Sequence, residues 1–398
     1  MTDSVQASSL PDRRIVVPAL GTTQTLAWAS SYYLPAIVGD PVSRDLGLSS
    51  NWFFALFSLA LVIAGTIGPR VGRQIDAFGG RGVLSLSNVV IAIGLVLLGF
   101  ANGLVLLALA WALLGVGMGL GLYDAAFAAL GRLYGNTARG AITGITLFAG
   151  FASTIGWPLT AWGLEAIGWR DTCFAWAAVH IVLGLPLNLL CIPRTAIVEH
   201  QNGSPAKRHI PTDRRMLLIA FAFAAAWMVT GAMAVHLLRI LEAAGATTVQ
   251  AIAAGMLIGP AQVAARIAEA SLLRRAHPLL SARLACVTHP VGVLVVLFGL
   301  GSLAYPLFAI LHGLGNGVLT IARGTVPLAI FGPKDYGYRL GLLGAPARVL
   351  QALAPFVFGL LIEDLGYRVL LVSATLMIMA LAALLLLHGE HHTGEAPT

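Results

Sequence analysis

Twelve apolar stretches of about twenty residues, each bounded by charges or turn formers, leave this chain few folds to adopt. They fall at about 15–38, 52–72, 82–101, 104–128, 140–163 and 172–193, then at about 215–238, 249–272, 281–300, 303–331, 340–362 and 366–387. Crossing ~30 Å of hydrocarbon takes about 20 apolar residues in a helix. The bilayer core offers no water to unpaired backbone groups, and the runs lack the alternation of barrel strands, so each reads as a transmembrane helix. Composition agrees: 58% of the 398 residues are hydrophobic and 10% are charged, where soluble proteins carry about 25% charge. The expectation is an all-α integral membrane chain of 12 transmembrane helices, with no room for an added soluble domain.

The net charge of +7 could point to nucleic acid, but its distribution points to topology. With the N-terminus in the cytoplasm, the cytoplasmic segments hold Arg13, Arg14, Arg70, Arg73, Arg81, Arg132, Arg139, Arg194, Lys207, Arg208, Arg214, Arg215, Arg274, Arg275, Arg283, Lys334 and Arg339. The opposite side holds Arg44, Arg170, Arg239 and Arg368, and Arg266, Arg323 and Arg348 lie inside helices. A bias of 17 to 4 among 24 basic residues places both termini inside by the positive-inside rule, in a plasma membrane such as the bacterial inner membrane. Cys173, Cys191 and Cys286 sit in apolar spans without paired spacing, so they read as packing residues. His388, His391 and His392 read as a solvated tail rather than a metal site. The polar N-terminal tail lacks a small-residue cleavage site, so the first helix is expected to be retained. No P-loop and no nucleophile constellation occur, so neither an enzyme nor an ATP-driven pump is expected, and no cofactor.

The longest polar stretch, 194–214, mixes Asn202, Gly203, Ser204 and Pro205 with basic residues and reads as a cytoplasmic linker between six-helix bundles at 1–193 and 215–398. The halves repeat at an offset of about 198. Glu165, Gly168 and Arg170 meet Glu363, Gly366 and Arg368; Pro158 meets Pro355; Gly115, Gly117 and Gly119 meet Gly313, Gly315 and Gly317. Arg73 and Asp76 meet Arg266 and Glu269 with a few residues' slippage. Matches in one order make an internal repeat. Two six-helix halves are the plan of a rocker transporter, with substrate near midplane between them.

The run Gly72-Arg73-Gln74-Ile75-Asp76-Ala77-Phe78-Gly79-Gly80-Arg81 resembles the loop between helices two and three of the major facilitator superfamily, with Gly80 in place of one basic residue. The resemblance extends over nearly the whole chain and implies the major facilitator fold. Asp76 can pair with a nearby arginine and with a helix N-terminus, closing the cytoplasmic side in one state while glycines such as Gly72 permit close helix contact; the alternative is a topology signal alone. Two departures stand out. Trp111 occupies the place of the superfamily's usual helix-four arginine, and Gly156-Trp157-Pro158 is all that remains of the antiporter G-x-x-x-G-P motif.

A charge near the bilayer centre costs ~2.5–3.5 kcal/mol on insertion scales, so buried ionisable groups are candidate functional groups. His312, Asn316, Thr320 and Arg323 share one helix face; Gln262, Arg266 and Glu269 form a second stripe; Arg348, Gln351 and Pro355 a third. Guanidinium forks match carboxylates, so an organic anion is the leading substrate class. Arg266 could instead pair with Glu269, Arg323 stands alone on a glycine-lined helix, and Arg348 could serve a gate or a lipid phosphate. The segment from Gly259 to Arg266 is similar to helix eight of monocarboxylate transporters, with Gln262 where that branch has an acid. Trp28-Ala29-Ser30-Ser31-Tyr32 is similar to helix one of oxalate/formate-type relatives. Gln24, Trp28 and Tyr32, with Pro35, form a face that could stack on substrate or simply pack. Asp124 is either a proton carrier or a partner in the Asp76 gate, and His236 reads as a packing histidine. Candidate binding residues are therefore Gln24, Trp28, Tyr32, Gln262, Arg266, His312, Asn316 and Arg323, and candidate gating residues Gly72, Asp76, Arg81, Asp124 and Arg348. The expected function is secondary transport of a small organic anion, with the proton as candidate coupling ion. An exporter of drugs or hydrophobic metabolites is the alternative, and a sensor or channel finds no sensory domain to support it.

Overall fold

The computed structural model describes residues 11–194, 213–299 and 301–387, which form helices joined by short turns, with no strand among the described residues. Most of the expected linker, including Lys207 and Arg208, and the tail histidines His388, His391 and His392 lie outside the described residues. The first part of the chain forms α1 (Arg13–Ala27), α2 (Pro35–Asp45), α3 (Ser50–Phe78), α4 (Gly80–Gly99), α5 (Leu104–Gly121), α6 (Tyr123–Tyr134), α7 (Arg139–Ala149), α8 (Ala152–Val179) and α9 (Leu185–Cys191). The second forms α10 (Arg214–Ala243), α11 (Thr248–Met256), α12 (Ile258–Leu272), α13 (Pro278–Leu297), α14 (Ala304–Phe331), α15 (Tyr336–Leu365) and α16 (Val369–Leu385).

Helix starts follow local chemistry. The Asp12 carboxylate accepts from the Arg14 amide at 2.8 Å and Asp213 accepts from Met216 at 2.8 Å, satisfying amides that α1 and α10 leave open. Thr247 and Gln250 form a reciprocal capping box on α11. At the far end of the chain the Arg283 guanidinium donates to the carbonyls of Leu384 and Leu387, closing the end of α16.

Nine segments among the described residues are long and apolar enough to cross a membrane. Two exceed any bilayer: Arg139–Cys191 has 53 residues and Tyr336–Leu385 has 50, roughly 80 and 75 Å at 1.5 Å per residue. The first is broken at Gly168 (φ 82°), and the Trp176 indole donates to Thr160 Oγ1 across the resulting hairpin at 3.1 Å. The second is broken at Gly366 (φ 55°). Only glycine reaches such angles without strain.

Three apolar runs are less regular than their hydropathy implies. Between α1 and α2 the residues Trp28–Tyr32 form a π-helical turn, where Ser30 and Ser31 donate back to the carbonyls of Leu26 and Ala27. Such back-bonding serines loosen the regular ladder. The run at 104–128 breaks at Leu122, which is extended (ψ −173°), and the run at 249–272 breaks at Leu257.

Buried apolar residues form two clusters. One is drawn from Val16 to Ile192 and is joined by Leu328, Tyr336, Leu340 and Ala352; the other is drawn from Met216 to Leu387. The 198-residue offset reappears in three dimensions: α4 and α13 are both 20 residues long, starting at Gly80 and Pro278. Gly94 and Gly292, at equal offset, each face the following long helix of their own half, against Leu114 and Phe308 respectively.

Candidate functional site

Several of the close polar contacts between the two parts of the chain gather toward the end of the molecule that carries the α3–α4 turn. Gly65, Gly68 and Gly72 of α3 lie against α15, where Gly68 faces Gly341 and Gly72 faces Gly337 so closely that a Cβ on Gly72 would strike the Gly337 backbone. Small residues at spacings of three and four give two helices a shared flat surface. At the end of this seam the amides of Gly337 and Tyr338 donate to the two Asp76 carboxylate oxygens, each at 2.8 Å. Asp335, the residue preceding α15, makes no side-chain cap and sits at φ 53°, so Asp76 caps α15 from the other half. Of the two partners expected for Asp76, the helix N-terminus supplies both hydrogen bonds, and Arg132 lies close enough to act on its charge. Arg73 lies 4.8 Å from the Tyr338 ring, and Arg81 is half-buried in the first turn of α4 with no ion pair to Asp76 among the described residues.

The break at Leu122 brings Asp124 to the first turn of α6, where free amides and the helix dipole favour a carboxylate. Gln24 makes that break orderly by donating its amide to the Gly121 carbonyl at 2.5 Å. Gln24 is thus a support beneath the site. Asp124 Oδ2 lies 2.6 Å from Arg323 Nη2 and 3.8 Å from Arg348 Nη2, so Arg323 does not stand alone as its sequence context implied. The Arg323 guanidinium also lies 4.9 Å from the Trp227 ring, and Arg348 lies 5.8 Å from Trp28. Gly344 leaves space for this group, because a Cβ there would press on Arg323 and Asp124. Asp124 Oδ1 and Arg348 Nη1 are buried without a protein partner and belong to residues lining a small cavity of about 10 Å³ with Gly68, Gly72, Gly337 and Gly341. Asp124 therefore does not meet Asp76; it bridges to α14 and α15 one step deeper in the same seam.

The opposite seam, between α7 and α12, is held by side chains. Arg139 Nη2 donates to Glu269 Oε1 at 2.7 Å and to the Leu273 carbonyl at 2.8 Å, and Nη1 donates to Ala276. This corrects the pairing of Glu269 with Arg266. Arg266 is 4% exposed and has no carboxylate within ion-pair distance among the described residues. It donates to the Thr146 carbonyl at 3.0 Å and, at 3.4 Å, to Gln262 Oε1, while its Nε has no partner.

Between these seams Trp28 packs against Tyr32, Tyr33 and Tyr123 at ring distances of 5.0–6.1 Å. Tyr32 is tied across the halves, its hydroxyl oxygen accepting from Gln351 Nε2 at 2.8 Å, and the Trp28 indole N–H has no partner. Trp28, Tyr32, Gln262, Arg266, Arg323, Arg348 and Asp124 are therefore brought to one region. His312 and Asn316 are not. Although they share a face of α14 with Arg323, they lie two to three turns away, inside the second cluster: His312 pairs with His289 at 3.0 Å and Asn316 accepts from Thr230 at 3.2 Å. Tyr33, Tyr123, Arg139 and Gln351 belong to the region without standing among the candidates. The spacing of Gln351 three residues after Arg348 was the available signal for one of them.

A bundle of long apolar helices split into two parts, sealed at one end and holding buried guanidinium groups between them, is the build of a membrane transporter. Residues 20–311 match the Major Facilitator Superfamily, and the chain belongs to that family. It is 29% identical over 355 residues to an uncharacterized 38 kDa protein in the 23S RNA operon of Thermoproteus tenax, covering 88% of this chain and 89% of that one. The crystal structure of the human organic anion transporter MFSD10 (TETRAN) shares the fold, with a TM-score of 0.73, 95% of this chain and 100% of that chain covered, and 15% identity.

Proposed function

We propose that this protein is a secondary transporter that moves a small organic anion by alternating access, with the proton as coupling ion, across a bacterial inner membrane. Counting the two long hairpin segments as two crossings each, and adding the α1–α2 stretch, gives twelve crossings in two halves, 1–193 and 215–398, tethered by the linker at 194–214. The arginine bias then puts the α3–α4 turn in the cytoplasm, and the conformation is the one closed on that side.

The observation that carries the anion reading is Arg266. A guanidinium buried without a counter-charge is costly, and an anionic ligand is the group that would complete it. Arg323 has Asp124 and Arg139 has Glu269, whereas Arg266 has only neutral oxygens and Arg348 shares an occupied carboxylate. The aromatic group around Trp28 supplies an apolar wall suited to an organic rather than an inorganic anion. MFSD10, named an organic anion transporter, contributes the fold alone at its level of identity.

A proteoliposome screen of labelled monocarboxylates and dicarboxylates, with and without a pH gradient, tests the proposal. Uptake of at least one, stimulated by an acid exterior, is the expected result; uptake of none overturns the anion reading. A second expectation concerns the gate. Asp76→Ala deletes two hydrogen bonds to a charged acceptor, each about 1.5–3 kcal/mol. On a background with Cys173, Cys191 and Cys286 replaced by serine, maleimide labelling of Leu340→Cys in the seam should then quicken at least tenfold. An unchanged rate would show that Asp76 does not hold that end shut.

A further inference from the structure

We propose that His289 and His312, paired inside the C-terminal half, form a site that binds a single shared proton and is the coupling site of the transport cycle; this rests on the transport reading above. The two imidazoles are buried and meet Nδ1 to Nδ1 at 3.0 Å. His289 Nε2 lies 2.9 Å from Ser373 Oγ, and Ser373 donates its one hydroxyl hydrogen to the Leu370 carbonyl at 2.8 Å. Ser373 Oγ can therefore only accept, so His289 Nε2 carries a hydrogen and the neutral ring's lone pair is on Nδ1. His312 must then donate through Nδ1, which leaves its own lone pair on Nε2.

This arrangement accepts one proton and resists a second. A proton from water adds to His312 Nε2, and the imidazolium formed hands its charge toward His289 through the existing Nδ1–H···Nδ1 bond. A second proton would set two N–H groups against each other at 3.0 Å. The pair sits beside a small cavity of about 10 Å³, whose lining includes Thr230 of α10, Asn316 of α14 and Met377 of α16. Phe308 stands against both rings. Among the described residues, none of these groups facing the pair from α10, α13, α14 and α16 titrates. Arg323, eleven residues along α14, is held by Asp124, and His236 of α10 is bonded to the Pro355 carbonyl at 2.7 Å.

The repeat argues that the pair is not needed for packing. At the offset of 198, His289 corresponds to Ile91 and His312 to Leu114, both fully buried in the N-terminal half. The same scaffold thus closes with hydrocarbon at these positions, and two imidazoles there cost desolvation that packing does not require. Polar groups held inside a bilayer against that cost mark ion pathways.

Two measurements test the assignment on the full chain. The first needs no substrate: with histidine labelled with nitrogen-15 in the purified protein, the ring signals lost in the double variant His289→Ile/His312→Leu should titrate together and take up one proton as pH falls. Two independent titrations, or rings that stay neutral until the chain unfolds, overturn the proposal. The second uses labelled lactate and oxalate in proteoliposomes. The double variant, packed as its N-terminal counterpart is, should keep anion exchange at equal pH but lose acid-driven accumulation at least tenfold; accumulation equal to wild type overturns it. Should wild type move neither of these nor any other carboxylate of the wider screen, the organic-anion reading fails while the ring titration still decides the proton site.

Discussion

Arg266→Ala should lower transport of the organic anion about 100-fold while the protein still inserts and purifies as wild type does. The guanidinium is buried, faces only the Thr146 carbonyl and the Gln262 side chain, and holds one N–H unpaired. An anion that completes such a set gains charge-assisted hydrogen bonds worth about 1.5–3 kcal/mol each, and about 2.8 kcal/mol corresponds to 100-fold in affinity. The variant loses only two bonds to neutral oxygens, those of Thr146 and Gln262, so stability should change far less than transport. Arg266→Lys keeps the charge but not the fork, and should fall between the two. Initial rates over a range of anion concentrations separate these cases, and an alanine variant with wild-type rates removes Arg266 from the binding site.

Gly72→Leu should abolish transport altogether and hold the protein open at its α3–α4 end. Even a single methyl group there would meet the Gly337 backbone, and backbone cannot rotate out of the way as a side chain can. The sealed conformation is then inaccessible, while each half keeps its own core. Leu340→Cys should react with maleimide in this variant as fast as an exposed thiol does, whether or not Asp76 is also replaced. Slow labelling combined with normal transport would show that the glycine seam does not need its close approach.

That the chain is built of long apolar helices was legible because hydrocarbon thickness dictates their length, and the repeat because scaffold glycines and prolines recur at one offset. The contact of Asp76 with a helix N-terminus was legible too. What periodicity could not supply is which neighbour each face meets. The α14 stripe is regular on a helical wheel, yet α14 runs long enough that His312 faces α13 while Arg323, three turns on, reaches Asp124. Arg266 and Glu269 are three residues apart on one helix, and their pairing was one of two readings left open; Arg139, distant in sequence, takes Glu269 instead. The spacing of Gly337, Gly341 and Gly344 already carried the small-residue signature that complements Gly65, Gly68 and Gly72. The break at Leu122 had no such signal, since the hydropathy of the run continues through it.

The two seams at the closed end differ in what must be undone to part them. Along α3 and α15 the closest contacts are backbone on backbone at Gly68 with Gly341 and Gly72 with Gly337, and separating them exposes flat faces flanked by Asp76 and Arg348. Along α7 and α12 the contact is made by Arg139 and Arg266, whose partners are mostly carbonyl oxygens that water can replace one at a time. Wetting should therefore proceed from the α7 side, so that the molecule opens like a book hinged on its glycine spine rather than by both covers lifting together.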